Sequence, residues 1–274
     1  MRIVSWNINS IRLRLPLVKR LVRTLAPDVL CLQEIKCPND AFPEKAVRAL
    51  GFEHVLVNGI KGYHGVAILS RVPFARTGRH DFCGRADGRH LEAVFATESG
   101  PLRVHNFYVP AGGDEPDPKR NDKFAHKLAF LAEMKREFAR SRGGALGRGA
   151  RMVLLGDLNI APYEHDVWSS RQLQNVVSHT PVERAALDAL RHTRDWEDVA
   201  RRFVPDDEKL YSWWSYRARD WAASDRGRRL DHIWITPALR RAVADFGILR
   251  KARGWPRPSD HVPVRLDLAL KPKN

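Results

Sequence analysis

The sequence predicts an α/β fold in which two packed, mixed β-sheets are flanked by helices, a four-layer sandwich. Short apolar segments bounded by turns recur along most of the chain and outnumber the strands that one sheet needs. Helical patterns occur early, in the middle and late, so helices are available to cover both sheets. A length of 274 residues and a hydrophobic fraction of 43% fit one globular domain spanning residues 1–274.

The predicted strands are apolar runs rich in β-branched residues, each bounded by turn-forming residues. They cover Arg2–Ile8, Val29–Gln33, His54–Asn58, Val66–Ser70, Leu91–Thr97, Arg103–Val109, Met152–Leu158, Leu230–Thr236 and Val262–Leu268. No internal repeat or convincing domain boundary interrupts the series, so all of these strands are assigned to one domain.

The first predicted helix is Ile11–Leu25, and Pro27 ends it because proline lacks a backbone N–H and disfavours a helical conformation before it. Its predicted apolar face consists of Leu15, Val18, Val22 and Leu25. A second helix, Lys119–Arg142, has apolar residues at helical spacing with charged residues between them.

A third helix is predicted over Pro181–Leu190. Thr180 is a favourable N-cap and proline is favourable at the first helical position. The Gly-rich segment 141–151 ends at a strong strand, which indicates a surface loop rather than a linker. It follows a helix and lacks the Lys-Ser/Thr ending of a phosphate-binding loop.

The composition carries one functional indication, a formal net charge of +15 and a pI near 10.2. An excess of Lys and Arg favours a polyanionic partner, because neutralised phosphates release condensed counterions. Basic enzymes without a nucleic-acid partner also exist, so charge alone leaves both classes of protein open.

Three cysteines, Cys31, Cys37 and Cys83, show neither zinc-ligand pairing nor a disulfide framework, which is typical of a reducing compartment. No stretch approaches the ~18 consecutive apolar residues of a membrane span. The N-terminus reads as a strand and lacks the features of a signal peptide. We therefore expect a cytoplasmic protein with no membrane partner.

Polar side chains cluster where the predicted strands end, although an apolar strand alone needs none there. The groups are Asn7 and Asn9, Gln33-Glu34, Tyr108, Asp157 and Asn159, Asp231-His232, and Ser259-Asp260-His261. Singly, each has a structural explanation, such as turn capping by Asp and Asn or a hydrogen-bonded core histidine. Together, they predict a functional site.

Six motifs carry a specific resemblance: SWNINSIR (5–12), LQEIK (32–36), FYVPAGG (107–113), LLGDLN (154–159), GRRLDHIW (227–234) and PSDHVPV (258–264). Their order and spacing resemble the exonuclease III family of abasic-site (AP) endonucleases, in the DNase I-like superfamily, over nearly the whole chain. The resemblance implies a DNase I-like sandwich with one catalytic domain and a Mg²⁺-dependent DNA-repair phosphodiesterase. Such an enzyme nicks double-stranded DNA 5′ to abasic sites and trims blocked 3′ ends. We expect a nucleoid-associated monomer.

Hydrolysis of a phosphodiester needs an activated water, neutralised phosphate oxygens, a stabilised leaving 3′ oxygen and rigid positioning. Asp157 is the candidate to orient or deprotonate the water, with Asn159 holding water and phosphate in line. His261 would donate to a phosphate oxygen, and Asp231 would orient its imidazole and favour its charged form. Tyr108 would contact the scissile phosphate or the leaving oxygen.

Glu34 is the first candidate metal ligand, because hard carboxylates suit Mg²⁺, for which Mn²⁺ is the expected substitute. The family resemblance also implies that Asp260 lies near the metal and that Asn7 hydrogen-bonds within the same cluster. Some family members have Asp where this chain has Asn9. Fewer carboxylates are therefore available here, which favours one catalytic Mg²⁺ over two.

Substrate recognition is indicated by the aromatic and basic run YSWWSYRAR (211–219). Similar segments in the family wall a pocket that accepts an extruded abasic sugar, and Trp213 and Trp214 are the predicted wall residues. Arg228 replaces an apolar residue of many relatives, so we expect it to alter the pocket or add a phosphate contact. Lys36 and Arg89 are predicted to contact DNA phosphates without reading sequence.

Two other functions compete with this interpretation. A superfamily relative acting on phosphoinositides or other small phosphoesters would keep the same acidic and histidine residues, but the basic charge and the aromatic run argue against it. A DNA-binding module that has lost catalysis predicts gaps in the acidic and histidine set, and the sequence has none.

Overall fold

The computed structural model describes residues 1–141, 147 and 149–273, and in this part of the chain the strands form two six-stranded sheets and a two-stranded ribbon. In chain-order numbering, the first sheet contains β1 (Arg2–Asn7), β2 (Val29–Gln33), β3 (His54–Asn58), β4 (Val66–Ser70), β13 (Val243–Ile248) and β14 (Val264–Leu268). The second contains β5 (Arg76–Gly78), β6 (His90–Phe95), β7 (Leu102–Tyr108), β8 (Arg151–Asp157), β9 (Glu197–Asp198) and β12 (Asp231–Ile235). The ribbon consists of β10 (Trp213–Trp214) and β11 (Gly227–Arg228).

Helices cover the outer faces of the sheets. The α-helices are α1 (Ile11–Leu25), α2 (Glu44–Arg48), α3 (Asp122–Arg140), α4 (Ser170–Leu173), α5 (Pro181–Arg191), α6 (Ala200–Phe203) and α7 (Trp221–Ser224). Short 3-10 helices occur at Asn39–Ala41, Phe82–Gly84, Glu164–Asp166, Pro237–Ala242 and Arg250–Gly254.

The strand order is β13-β14-β1-β2-β4-β3 in the first sheet and β5-β6-β7-β8-β12-β9 in the second. Each sheet has a parallel pair at its centre, β1 with β2 and β7 with β8, and the other pairings are antiparallel. The carboxyl ends of both parallel pairs lie at the same edge of the sandwich, because Asn7 at the end of β1 contacts Asp157 at the end of β8. The polar strand ends of the sequence therefore converge.

The sheets pack face to face over a core of alternating side chains. Along β8, Val153 and Leu155 point into the core between the sheets, whereas Met152 and Leu154 point outward and pack with α3 and α5. The outer face of the first sheet packs against α1 and α2 in the same way. Helix, sheet, sheet and helix make the four layers predicted from the sequence, and that prediction is confirmed.

All nine predicted strands are present, with bounds that differ by no more than two residues. The sequence missed β5, β9, β10, β11 and β13. Four of these are two or three residues long, too short to show an alternating pattern, and β13 is a bulged edge strand with exposed residues. The short ribbon β10–β11 matters most, because it carries three residues predicted to contact substrate, Trp213, Trp214 and Arg228.

The predicted apolar face of α1 is wrong by part of a turn. The buried residues are Ile11, Arg14, Leu17, Val18 and Leu21, and Leu15, Val22 and Leu25 are only partly buried. The backbone of Arg14 leaves the helical conformation two residues before Pro16, which lies inside the helix. This irregularity rotates the face that follows, and regular helical spacing does not take it into account.

The two other predicted helices are present. Thr180 caps α5 by accepting from the backbone N–H of Glu183, and Pro181 occupies the first helical position, as predicted. The helix α3 is shorter than predicted, and Arg142 with most of the predicted loop 141–151 lies outside the described residues. Within the residues that are described, no helix combines the length and apolar character needed to cross a membrane.

Candidate active site

The candidate site lies where β1, β2, β7, β8 and β12 reach one edge of the sandwich. In the second sheet, Asp157 pairs in register with Tyr108 on β7 and with Asp231 on β12. The conformations after the strands are unusual, with positive φ angles at Asn9 (47°), Glu34 (49°) and Asn159 (53°). Positive φ is uncommon outside glycine, so the surrounding contacts hold these turns in place.

Asn7 is the centre of the cluster. Its Nδ2 donates to Glu34 Oε1 at 2.9 Å and to Asp157 Oδ2 at 2.9 Å, and it lies 3.4 Å from His261 Nε2. Because the side chain of Asn7 is fully buried, this amide fixes the separation of the two carboxylates. The role predicted for Asn7, hydrogen bonding within the cluster, agrees with this geometry.

Glu34 is held ionised. Burial alone would raise its pKa, but the Lys36 ammonium, 2.8 Å from Oε2, and the hydrogen bond from Asn7 outweigh it and lower the pKa. Lys36 also donates to Asn9 Oδ1 at 2.6 Å. Lys36 is thus part of the acidic cluster itself. The DNA-phosphate contact predicted for it stays a prediction.

His261 is buried beside two carboxylates. Its Nδ1 lies 2.8 Å from Asp231 Oδ2, and its Nε2 lies 3.6 Å from Asp157 Oδ2. Burial opposes protonation, but Asp231 and Asp157 outweigh it and raise the pKa of His261 to about 10. The charged form of the ring is therefore favoured, and Asp231 holds the ring in orientation. Asp231 is itself fixed by a 2.7 Å bond from Ser212 Oγ.

Asp157 has a raised pKa, chiefly because it is buried, and the positive charge of His261 opposes this shift. Its Oδ1 accepts from the backbone N–H of Asn159 at 2.9 Å. The Asn159 amide donates to the Val109 carbonyl at 2.9 Å, so Asn159 is fixed between the ends of β7 and β8. Asp157 lies beside His261, which lines a cavity, and a carboxylate with a raised pKa in such a position is suited to proton transfer.

Asp260 lies beside this cluster without a direct bond to Glu34 or Asp157 among the described contacts. It accepts from Asn9 Nδ2 at 3.0 Å and from the Trp213 indole N–H at 3.0 Å. Asn9 accepts a hydrogen bond from Lys36 and donates one to Asp260. A carboxylate in its place could accept from Lys36 but could not donate to Asp260. The amide of Asn9 is therefore matched to its two neighbours.

A cavity of about 950 Å³ opens in front of these residues. One side is acidic and contains Glu34, Asn159, Asp260 and His261, together with Tyr108. The wall also has aromatic and basic residues: Trp168, Trp213, Arg217, Arg226 and Arg228. In this wall Arg226 lies over the Trp168 ring at 4.7 Å and Arg228 over the Trp213 ring at 5.4 Å.

Only one of the two tryptophans predicted to wall the cavity does so. Trp213 lines it, whereas Trp214 is buried in the core of the first sheet, where its indole donates to Asp225. The physical reason is that neighbours in a strand point to opposite faces, and these two residues form β10. The prediction for Trp214 is wrong.

The prediction that Arg89 contacts a DNA phosphate is also corrected. Arg89 is buried, ion-pairs with Asp87 and places its guanidinium 5.0 Å from the centre of the Tyr108 ring. It does not line the cavity. Its contacts support Tyr108. The pKa of Tyr108 is well above its ordinary value because of burial and the charges of Glu34 and Asp157, so the phenol keeps its proton.

The sequence analysis did not single out Lys127 and Glu183, a buried ion pair that supports the cavity wall. Lys127 donates to the carbonyls of Ala111 and Asn159, at 3.2 and 2.8 Å, and thereby joins two segments of the cavity wall. A signal was available, because Lys127 follows Phe124 by three residues and so falls on the apolar face of α3.

The acidic cluster fits a hard divalent cation. Ligand atoms of Glu34, Asp157 and His261 all lie within 4.8 Å of one another. The raised pKa of His261 disfavours the neutral form that a metal ligand needs, so the carboxylate oxygens are the preferred ligands. Oxygen donors of this kind are preferred by Mg²⁺ and Mn²⁺ over softer metals.

Comparison with known proteins agrees with this geometry. The model of the Endonuclease/Exonuclease/phosphatase family matches residues 4–261. The chain belongs to this family. Exodeoxyribonuclease III of Haemophilus influenzae is 32% identical over 272 residues, which cover 96% of this chain and 98% of that family member. The exonuclease III resemblance found in the motifs is confirmed.

Two solved structures of family members are similar over the whole fold. An AP endonuclease from Archaeoglobus fulgidus superposes with a TM-score of 0.87 at 30% identity, covering 98% of this chain and 99% of the other. The 3′ phosphatase NExo from Neisseria, bound to a product DNA hairpin, has a TM-score of 0.86 at 31% identity with the same coverage. The DNase I-like fold predicted for this chain is confirmed.

Proposed function

We propose that this chain is a DNA-repair hydrolase that nicks double-stranded DNA 5′ to abasic sites and removes blocking groups from 3′ ends. The observation that carries the proposal is the convergence of Glu34, Asp157 and His261 around Asn7, with Glu34 and His261 lining a cavity that also has basic and aromatic residues in its wall. The names of the relatives, an exodeoxyribonuclease, an AP endonuclease and a 3′ phosphatase, support the same reaction class.

The attacking water is assigned to Asp157. Its carboxylate accepts the water proton, and Asn159, held to Asp157 by its backbone N–H, keeps water and phosphate in line. The water oxygen bonds to phosphorus, the bond from phosphorus to the 3′ oxygen breaks, and the freed 3′ oxygen takes up a proton. The raised pKa of Asp157 makes it a better proton acceptor than an exposed aspartate.

Charge on the phosphate is met by the residues opposite the water. His261 is an imidazolium whose Nδ1 is committed to Asp231, so its Nε2–H is the donor to a phosphate oxygen. Tyr108 keeps its proton and donates to the leaving 3′ oxygen. Asp231 acts by positioning the ring.

Glu34 is the residue that would hold a divalent cation, with Asn7 orienting its carboxylate and Asp260 nearby. When bound, Mg²⁺ neutralises phosphate oxygens and stabilises the leaving oxygen. Asn9 adds no charge to this position, which favours a single cation. Mn²⁺ is the expected substitute because it takes similar oxygen ligands.

The decisive experiment is cleavage of a duplex oligonucleotide with one abasic analogue, analysed on a sequencing gel with Mg²⁺, Mn²⁺ or EDTA. We expect a single nick immediately 5′ to the lesion that requires metal. Hydrolysis of inositol phosphates without cleavage of abasic DNA would assign the same residues to small phosphoesters. A gel-filtration run of the same sample tests the monomer and the single domain over residues 1–274.

A second comparison separates an enzyme from a binding module. A Glu34→Ala variant should bind abasic DNA but not cut it, because it loses the metal carboxylate and little of the basic wall. Equal behaviour of wild type and variant, with binding and no cleavage by either, would contradict the enzymatic proposal.

A further inference from the structure

Arg228 lines the cavity, and its conformation is firmly fixed. Its backbone pairs with Trp213 on one side and with Val167 on the other. Its guanidinium Nη1 donates to Ser178 Oγ at 2.7 Å and to the Val177 carbonyl at 3.1 Å. The indole face of Trp213 supports the guanidinium from another side.

The charge of Arg228 has no counterion in the part of the chain that the structure describes. The neighbouring Arg229 provides the contrast, since it is fully buried and ion-paired with Asp166 and Asp198. Glu183 acts on Arg228 only through its more distant charge and is already paired with Lys127. Burial lowers the pKa of Arg228, so the protein environment alone destabilises its charged form.

An oriented, half-buried guanidinium without a carboxylate is suited to bind an anion from solution, because charge-assisted bonds strengthen where water is excluded. The scissile phosphate is already assigned to Glu34 and His261, and neither of these residues bonds to Arg228 among the described contacts. The anion that reaches Arg228 is therefore a different one. It belongs to the part of the substrate that lies against Trp213.

We propose that Arg228 binds a second oxyanion, carried by the fragment that departs with the scissile phosphate. This inference rests on the proposed function and specifies the substrate class of the same site. The oxyanion is either the carboxylate of a short acid esterified to the 3′ phosphate or the phosphate on the 3′ side of an abasic sugar. Cleavage follows the step given above, and Arg228 binds the fragment without exchanging a proton.

The test uses two pairs of duplex substrates that differ by one anion. In the first pair the 3′ phosphate carries glycolate or, as the neutral counterpart, 2-hydroxyethanol. In the second pair a terminal abasic sugar carries a 3′ phosphate or a free 3′ hydroxyl. The ratio of kcat/KM within each pair measures the second anion and cancels contributions that both members share.

We expect wild type to favour the anionic member of at least one pair by about tenfold or more, the usual size of one charge-assisted hydrogen bond. The pair with the larger ratio identifies the source of the anion. Arg228→Met should reduce that ratio towards one, and Arg228→Lys should keep part of it, since a lysine retains charge but not the planar fork. Arg184→Met is the matched control, because Arg184 also donates to a carbonyl, that of Pro162, but lies outside this cavity.

Two outcomes would overturn the inference: wild type cleaving both members of each pair at equal rates, or Arg228→Met keeping the wild-type ratio. The wild-type ratios need no variant, so a poorly folded Arg228→Met leaves the test valid. Absence of any cleavage by folded wild type with metal would instead contradict the proposed function itself, which distinguishes the two failures.

Discussion

Two groups of buried histidines show how the surroundings of one residue type decide its charge. At the candidate site His261 lies between Asp231 and Asp157, and its pKa is raised to about 10. On the outer face of the second sheet His90 stacks on His105 at 5.4 Å, and burial lowers the pKa of His90 to about 3. Burial thus favours the neutral ring at His90, and at His261 the two carboxylates outweigh burial.

His232 makes the same point within one strand. It follows Asp231, but its side chain lies on the opposite face of β12, where its Nε2 bonds to the Ile160 carbonyl at 2.8 Å and burial lowers its pKa to about 4. The sequence places the two side by side, and the strand separates them into a catalytic and a structural environment. The charge of His261 is thus a property of a site assembled from distant segments.

The largest expected effect is that of Asp157→Asn, which removes both the proton acceptor and one of the charges beside His261. We expect kcat for abasic-site cleavage to fall by about a thousandfold, within the range of general-base residues. Binding of abasic duplex, measured by fluorescence anisotropy, should change little. Retention of more than about a tenth of wild-type kcat would show that Asp157 is not the base.

Lys127→Met tests how much the buried ion pair of Lys127 and Glu183 contributes to the stability of the fold. The variant leaves Glu183 buried without its cation and frees the Ala111 and Asn159 carbonyls, so the free energy of unfolding should fall by about 3–5 kcal/mol. Urea unfolding measures this. Lys123→Met, an exposed position on the same helix, is the control and should stay within about 0.5 kcal/mol of wild type.

Asp231→Asn addresses the orientation and charge of His261 without removing the ring. We expect kcat to fall by roughly 10- to 100-fold with KM nearly unchanged, because the imidazolium loses the negative charge 2.8 Å from its Nδ1 and acts mainly on the transition state. Asp245→Asn is the matched control, since Asp245 pairs with Arg265 on an edge strand far from the cavity. A rise in KM with constant kcat would assign Asp231 to ground-state binding instead.

The sequence predicted the two-sheet sandwich because each long strand carries its own apolar pattern, which does not depend on partners. It also predicted the residues of the cluster, since polar groups at strand ends are visible along the chain and the motifs resemble a known family. It did not predict which face of β10 holds Trp213 rather than Trp214. That choice depends on the pairing of Trp213 with Arg228 and of its backbone with His261, which are contacts between distant segments.

The same limit explains Arg89 and Lys127. Both are basic residues near motifs, and a sequence does not say whether a guanidinium or ammonium points to solvent or inward. Arg89 was expected at the DNA surface but pairs with Asp87 under Tyr108, and Lys127 was passed over but joins two walls of the cavity. Ion pairs decide both cases, that of Arg89 with Asp87 two residues before it and that of Lys127 with the distant Glu183.

The smallest expected effect concerns the neutral histidines and acts through pH. The folded pKa of His90, about 3, lies below the ordinary value of 6.5, so below pH 6.5 the unfolded chain takes up a proton that the folded chain does not. The stability that His90 contributes is complete above pH 6.5 and is lost as pH falls towards 3. Between about pH 6.5 and about pH 5 this loss should amount to roughly 1.5 kcal/mol. Urea unfolding of wild type and His90→Gln at both pH values measures it, because glutamine does not titrate. A pH-dependent loss of the same size in the two proteins would show that His90 is not the neutral buried ring that its surroundings dictate.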